Sequence, residues 1–202
     1  MIKSIISDLG NVIVFFDNMI FLQKVVPFSK YSIEEITSLL HNKSDLFRLF
    51  DLGKLSPSEF FWKIRSLLKL KIEEKAFFHD YNDIFSLNEP VMKILKGLSN
   101  SYKLVLLSNT DVMRFGFVKE NFPEILFFDE YVLSFEEGRM KPDPEIYKSA
   151  LQKAGTKAEE TVFIDDRQEN IKTAQALGLM TVLYDFQSTN LGGELRKLGM
   201  KL

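Results

Sequence analysis

The sequence predicts an α/β fold, with a doubly wound, Rossmann-like parallel sheet as its core and a small all-helical cap inserted after the first strand. Short apolar runs rich in Ile, Val and Leu are typical of strands buried on both faces. They occur at residues 2–7, 103–107, 161–164 and 180–184. Segments with helical spacing lie between the last three runs, and strands alternating with helices favour a parallel sheet.

The region after the first strand breaks this alternation. S-I-E-E at 32–35 and S-P-S-E at 56–59 each match a capping box, the second with proline at the first helical position. Each opens a stretch whose apolar residues recur at helical spacing. We therefore assign residues 17–88 to a helical cap domain and residues 1–16 and 89–202 to the Rossmann-like core.

Three further helices follow in the core. Asn88-Glu89-Pro90 begins the helix that leads into the strand at 103. Residues 144–154 and 170–177 both show an amphipathic pattern, and Gly178 ends the second of these segments.

Composition limits the class of protein. The chain has 202 residues, of which 46% are hydrophobic, and this suffices for one sizeable core. A formal net charge of -2 gives no electrostatic case for a nucleic-acid partner or an anionic membrane. The absence of cysteine excludes disulfides and thiol catalysis and fits a reducing compartment. No stretch approaches the roughly 20 apolar residues of a membrane span, so we expect a cytoplasmic protein, of unknown oligomeric state.

Polar side chains follow three of the predicted strands. Asp8 comes after the first run, Ser108 and Asn109 after the second, and Asp165 and Asp166 after the third. In an open parallel sheet, ligands bind beyond the carboxyl ends of the strands. We therefore expect these five side chains to lie at one edge of the sheet.

Three carboxylates at one edge require positive charge. If Asp8, Asp165 and Asp166 lie within about 4 Å of one another, each pair repels by about 4 kcal/mol at an effective dielectric constant of 20. A hard divalent cation with oxygen ligands offsets this repulsion, and Mg²⁺ fits best because it is usually held by one or two carboxylates and a substrate phosphate. Lys141, held extended or in a turn before Pro142, is a second candidate for the positive charge.

Together these residues resemble the haloacid dehalogenase-like hydrolase superfamily, in the branch with a helical cap after the first strand. Four strings carry the resemblance, and they span nearly the whole chain. They are DLGNV at Asp8, LLSNT at Ser108, MKPDPEIY at Lys141 and FIDDRQENIKTAQALG at Asp165 and Asp166. The D-x-G-N form of the first string is similar to that of a subgroup that contains sugar-phosphate phosphatases.

The resemblance implies an Mg²⁺-dependent phosphatase that acts on a small phosphorylated metabolite. Asp8 would be the nucleophile and would form an aspartyl-phosphate that water hydrolyses. Asp8, Asp166 and the backbone carbonyl of Gly10 would hold the metal, with Asp165 in contact directly or through water.

The same resemblance assigns the phosphate contacts. Ser108 and the amide of Asn109 would bind the non-reacting phosphoryl oxygens. Lys141 would neutralise charge in the transition state.

Gly10 departs from the usual phosphatase pattern, in which an Asp at this position protonates the departing alkoxide and then activates water. Such an acid typically contributes about 100- to 10,000-fold. A water, a substrate hydroxyl or a polar group of the cap could replace it, and Asp17 is one candidate, although capping a helix is the plainer role for Asp17.

Two alternatives remain open from the sequence. A 2-haloacid dehalogenase also lacks this Asp, because halide leaves unprotonated. Those enzymes need no Mg²⁺, however, and the acidic pair Asp165-Asp166 would be an unusual feature of a metal-free site. The second alternative is a non-catalytic phosphate-binding or interaction protein, against which stands the presence of the nucleophile, both metal carboxylates and the lysine.

The cap is expected to govern which substrates are accepted, since it closes over the sheet edge. Aromatic residues are candidates for its lining, although helical spacing also fits a role in the core of the cap. They are Phe16, Phe47, Phe50 and Trp62.

Overall fold

The computed structural model describes residues 1–42 and 45–202. Its strands in chain order are β1 (Ser4–Ser7), β2 (Val14–Phe16), β3 (Phe85–Leu87), β4 (Lys103–Ser108), β5 (Glu130–Leu133), β6 (Thr161–Asp165) and β7 (Met180–Leu183). Five of them form a parallel sheet in the order β5-β4-β1-β6-β7, and β2 pairs antiparallel with β3 in a two-stranded ribbon. This arrangement confirms the predicted parallel α/β fold.

Both faces of the parallel sheet are buried. Alternate residues of β1 point to opposite sides, so Ile5 belongs to one apolar cluster and Ile6 to another. The first cluster includes residues of α6 (Glu89–Leu98), α7 (Val112–Asn121) and α11 (Leu191–Lys197), and the second includes residues of α9 (Pro144–Ala154) and α10 (Gln168–Ala176). Helices on both faces explain why the strands are continuous apolar runs.

The cap consists of helices that lie between β2 and β3. They are α1 (Asn18–Val25), α2 (Ile33–Asn42), α3 (Leu46–Asp51), α4 (Pro57–Leu68) and α5 (Glu74–Asn82). Their shared core is rich in aromatic rings, among them Phe50 and Phe60, which stack at 4.3 Å between centroids. Both predicted capping boxes form, with Ser32 bonded to Glu35 and Ser56 bonded to Glu59.

The sequence pattern does not predict three of the strands, because they are short. β5 at the sheet edge has four residues, and β2 and β3 have three each. Since β3 lies within residues 17–88, the expectation of an all-helical insert is wrong at this point. The hydrogen bonding of β3 to β2 leads us to propose that both strands belong with the core and that the cap ends before Phe85.

The cap rests on the short helix α8 (Ser134–Glu137), which follows β5. Ser134 accepts a hydrogen bond from the backbone N–H of Thr110 at 2.9 Å and donates one to the backbone carbonyl of Asp51 at 2.6 Å. Gly53, with φ of +65°, lies so close to the backbone of Phe135 that a Cβ atom would overlap its carbonyl oxygen. The turn after α3 therefore contacts the core through backbone atoms.

A polar seam continues this interface. The Tyr81 hydroxyl of the cap donates to Asp111 of the core at 2.7 Å, and Arg114 of the core donates to Asn18 of the cap at 2.8 Å. The Arg114 guanidinium also lies 4.1 Å from the centroid of the Tyr81 ring, within cation–π distance. These contacts hold the cap in position against the core, over the edge of the sheet.

Within the described part of the chain, no helix is both long enough and apolar enough to cross a membrane.

Gly53→Ala is expected to lower the free energy of unfolding by about 3 kcal/mol, since it combines left-handed backbone strain with a steric clash. Gly138→Ala is the matched control, because Gly138 has φ of +64° with no atom within 4 Å of the added Cβ. That control is expected to cost only about 1 kcal/mol. Urea denaturation of both variants measures the difference, and equal losses would show that the clash with Phe135 is relieved at no cost.

Asp51→Asn is expected to stabilise the protein more at pH 8 than at pH 5. Burial, reinforced by Asp111 and opposed by Arg114, raises the pKa of Asp51 from 3.8 to about 7. Because the folded state holds this proton more tightly than the unfolded chain, stability falls as the pH rises from about 4 to about 7. The amide does not ionise, so it escapes that loss.

Urea midpoints at the two pH values test this expectation. The control is Asp83→Asn, since Lys24 lowers the pKa of the exposed Asp83 and this substitution is therefore expected to have the same small effect on stability at both pH values. If Asp51→Asn raised the urea midpoint by the same amount at both pH values, this result would contradict the proposed ionisation of Asp51.

Candidate active site

The site begins where β1 ends. The residue after it, Asp8, is level with the end of β6, since Ser7 pairs with both Leu106 and Ile164. The chain then turns sharply, with Asn11 in the left-handed region at φ of +55° and its backbone N–H bonded to the Val14 carbonyl at 2.7 Å. This turn leads into the ribbon and so joins the end of β1 to the cap.

Lys141 is the centre of the site. Its ammonium lies 2.7 Å from Asp8 Oδ1 and 2.7 Å from Asp165 Oδ2, and its side chain is 1% exposed. Two carboxylates from neighbouring strands thus share one buried cation. A buried ammonium is tolerated only when it is paired in this way.

The side chain of Asn109 positions Lys141. Its Nδ2 donates to the Lys141 carbonyl at 2.8 Å, and its Oδ1 accepts from the Lys141 N–H at 2.7 Å. Both halves of the amide are therefore bonded to the backbone of the residue that carries the ammonium. Ser108 is buried at the end of β4, with 2% of its surface exposed.

Asp165 is surrounded by protein donors. Besides Lys141, it accepts from the backbone N–H of Arg167 at 2.8 Å and from Asn170 Nδ2 at 2.9 Å, both on Oδ1. The side chain is fully buried. Asp165 therefore holds the turn before α10 in place as well as the ammonium.

Asp166 is more open than Asp165. Asn11 Nδ2 donates to its Oδ2 at 3.1 Å, which links the turn after β1 to the turn after β6. Burial raises the pKa of Asp166; the hydrogen bond from Asn11 opposes this rise and the charge of Asp165 adds to it.

The electrostatics of the cluster favour a cation. Burial raises the pKa of Asp8 to about 7, with Lys141 opposing the rise and Asp165 adding to it. Burial alone would lower the pKa of Lys141, but the charges of Asp8 and Asp165 outweigh it and raise the pKa above its usual value. One ammonium thus compensates only part of the negative charge.

The donor set fits a hard divalent cation. Asp8, Asp165 and Asp166 each place a carboxylate oxygen within 4.8 Å of the other two. Three carboxylates and the one ammonium of Lys141 leave a net charge of -2 when all are ionised, which a divalent ion would neutralise. Oxygen ligands of this kind are those that Mg²⁺ prefers.

A cavity of about 100 Å³ lies directly above these groups. The residues that line it are Asp8, Gly10, Asn11, Phe16, Asn109, Lys141, Asp166, Arg167 and Asn170. Phe16 contributes from β2, so one wall of the cavity is an aromatic ring. Apart from Ser108 and the buried Asp165, the side chains expected at the sheet edge border this space.

The other aromatic candidates for the lining lie elsewhere. Phe50 is buried in the core of the cap, and Trp62 is 55% exposed on its surface. Phe47 borders a separate cavity of about 390 Å³ between cap and core, together with Arg48. The expected aromatic lining is therefore correct for Phe16 alone.

Sequence reasoning overlooked the role of Asn11 and the contact of Phe16 with Gly10. Asn11 reaches Asp166 only because of its left-handed backbone, a conformation in which Asn is enriched. Phe16 comes back to Gly10 only because of the turn after β1. Asp17, by contrast, caps α1 by accepting from the Met19 N–H at 2.8 Å, which is the plainer of its two expected roles.

Comparison with known proteins gives a family match over most of the chain. A family model described as haloacid dehalogenase-like hydrolase matches residues 2–178. The D-ribitol-5-phosphate phosphatase of Bacteroides thetaiotaomicron is 32% identical over 193 residues, which cover 90% of this chain and 91% of that protein. The sesquiterpene phosphatase astK of Aspergillus oryzae is 28% identical over 199 residues, which cover 97% and 96% of the two chains.

Solved structures show the same architecture. A HAD family enzyme of Bacteroides thetaiotaomicron superimposes with a TM-score of 0.85 at 29% identity, covering 96% of this chain and 98% of that one. The wild-type form of that enzyme in complex with magnesium and inorganic phosphate gives a TM-score of 0.83 at 27% identity, with 95% and 98% coverage.

Lys141→Met is expected to lower the free energy of unfolding by about 3 to 5 kcal/mol, since it leaves Asp8 and Asp165 buried without their cation. Lys148→Met is the matched control, because Lys148 is exposed and pairs with Glu145 on the surface of α9. That control is expected to stay within about 0.5 kcal/mol of the parent protein. Denaturant titration at pH 7.5 measures both, and similar losses would contradict the central role of Lys141.

Proposed function

The chain belongs to the haloacid dehalogenase-like hydrolases, and we propose that it is an Mg²⁺-dependent phosphatase that hydrolyses small phosphomonoesters such as sugar phosphates through an aspartyl-phosphate on Asp8. One observation carries the proposal. The Asp8 carboxylate lies at a cavity beside a buried ammonium at 2.7 Å and two further carboxylates. This combination suits attack on a phosphoryl group that is bound by a cation.

Asp8 would attack phosphorus through one carboxylate oxygen. The P–O bond to the leaving group breaks as the bond from Asp8 to phosphorus forms, and water later attacks phosphorus and regenerates the carboxylate. Lys141 opposes the rise in the pKa of Asp8 that burial causes, and it holds the carboxylate in a fixed orientation. Its ammonium also offsets the negative charge that the equatorial oxygens carry in the transition state.

Asp8, Asp166 and the Gly10 carbonyl are the groups that we expect to hold Mg²⁺. When bound, the ion supplies Lewis-acid polarisation of the phosphoryl group and neutralises the excess negative charge of the cluster. Both oxygens of Asp165 already accept hydrogen bonds from protein donors. We therefore assign to Asp165 the positioning of Lys141 and a charge contribution to the metal site.

We also propose phosphate contacts at the end of β4. Because the side-chain amide of Asn109 is bonded to the backbone of Lys141, we assign the phosphoryl contact to the backbone N–H of Asn109. The hydroxyl of Ser108, at the end of β4, would bind a second phosphoryl oxygen.

A phosphatase is favoured over a dehalogenase by the acidic cluster and by the relatives. Halide displacement from a 2-haloacid involves no phosphoryl group and needs no cation to bind one, whereas three clustered carboxylates favour a bound cation. The relatives that cover most of the chain carry phosphatase names, one of them for a polyol phosphate.

Asp8→Asn is expected to reduce phosphate release by about 10,000-fold or more, since an amide cannot form the covalent intermediate. EDTA is expected to abolish activity, and added Mg²⁺ to restore it. The measurement is inorganic phosphate release over a panel of sugar phosphates, polyol phosphates and nucleotides, with 2-haloacids tested for halide release.

The control variant is Asp83→Asn, which removes an exposed carboxylate that is not part of the cluster. This variant is expected to keep full activity. Phosphate release that survives both Asp8→Asn and EDTA would overturn the mechanism. Halide release without metal would replace the phosphatase with a dehalogenase. Binding of Mg²⁺ and phosphate without turnover of any substrate would identify a binding protein.

A further inference from the structure

The place of a side chain at position 10 is filled by another residue. A Cβ atom built on Gly10 would lie 2.8 Å from Cε1 of Phe16 and 3.4 Å from its Cδ1. Carbon atoms in contact normally lie about 3.5 to 4.0 Å apart. The phenyl ring therefore occupies the volume that any larger residue at position 10 would need.

The ring is held in this position from several sides. Phe16 is the last residue of β2, which pairs with β3, where Phe85 lies opposite to it. The two rings are 6.2 Å apart between centroids, and Phe16 also packs against the apolar cluster of the cap. A substitution at Gly10 would thus require the Phe16 ring to move within this packing.

The cavity beside the ring contains no spare proton donor among its described lining residues. The ionisable ones are Asp8, Lys141, Asp166 and Arg167. Asp8 is the nucleophile, Lys141 is bonded to two carboxylates, and Asp166 accepts from Asn11. Arg167 forms an exposed ion pair with Glu169.

We infer that Phe16 replaces an acid/base side chain at position 10, so that the protein donates no proton to the leaving group and selects phosphoesters whose leaving oxygen is weakly basic, such as aryl, enol, acyl or hemiacetal oxygens. This inference rests on the proposed phosphatase function and adds to it a rule for the substrate. Phe16 acts here as a specificity-determining residue, since its ring both excludes the acid and forms an apolar wall beside the departing group.

The balance of the reaction follows from this assignment. In the first step, Asp8 forms its bond to phosphorus, and the leaving oxygen departs with both electrons of the P–O bond and takes its proton from water afterwards. In the second step, water attacks phosphorus, the bond to Asp8 breaks, and the proton of the water passes to solvent. Because every substrate yields the same aspartyl-phosphate, the second step is independent of the leaving group.

The wild-type enzyme with Mg²⁺ tests the inference directly through a series of aryl phosphates of graded leaving-group basicity and two primary alkyl phosphates. We expect kcat/KM to fall steeply as the leaving oxygen becomes more basic. We expect kcat to reach one common value for the least basic leaving groups, with a burst of the phenol in the first turnover. A kcat/KM that is equal for aryl and alkyl phosphates would overturn the inference, since the enzyme would then protonate the leaving group.

A double-substitution cycle tests the role of the ring. Gly10→Asp with Phe16→Ala makes room for a carboxyl group and supplies it, and this pair is expected to raise kcat/KM for the alkyl phosphates by about 100-fold while leaving the least basic aryl phosphates unchanged. Gly10→Asp alone is expected to gain little, because the ring opposes its Cβ, and Phe16→Ala alone is expected to gain nothing, because it brings no acid. Phe16→Leu also removes the aromatic ring, and it disturbs the packing less than Phe16→Ala because it keeps a large apolar side chain.

The outcomes separate the two proposals. Inactivity of the wild-type protein toward every phosphoester would overturn the phosphatase function and this inference with it. Phosphatase activity without dependence on the leaving group would overturn the inference alone. A gain from Gly10→Asp that equals the gain of the double variant would show that the ring does not exclude the acid.

Discussion

The ammonium of Lys141, buried between the carboxylates of Asp8 and Asp165, is the interaction on which the active site depends. It joins the ends of β1 and β6 to the loop after α8, and Asn109 anchors the backbone of that loop from the end of β4. A charge so deeply buried is stable only with close partners, so the ends of three strands must meet in one geometry. The same requirement explains why both Asp165 oxygens accept hydrogen bonds from the protein.

The cluster carries more negative than positive charge when all of its groups are ionised. Three carboxylates surround one ammonium, and burial already raises the pKa of Asp8 to about 7. In the function that we propose, a divalent cation and a phosphoryl group would complete the site, so substrate binding would be coupled to charge neutralisation. The full electrostatic balance would be reached only with the cation in place.

The turn after β1 connects this chemistry to the cap. It carries Asn11 to Asp166, and it brings Phe16 against Gly10 before the chain enters α1. A second connection between cap and core is the polar seam formed by Tyr81, Asp111 and Arg114. It lies beside the end of β4, which bears Asn109. The position of the aromatic wall therefore depends on how the cap packs on the core.

The sequence by itself determined the parallel sheet, the capping boxes and the polar residues at the strand ends, because burial on both faces and helix capping leave local patterns. Only the tertiary structure decided the short strands β2, β3 and β5, since three or four residues carry too little periodicity to identify a strand. It also decided that Asn109 holds Lys141 and that Phe16 fills the space beside Gly10. Such contacts depend on where distant turns place their side chains, and no local pattern records that.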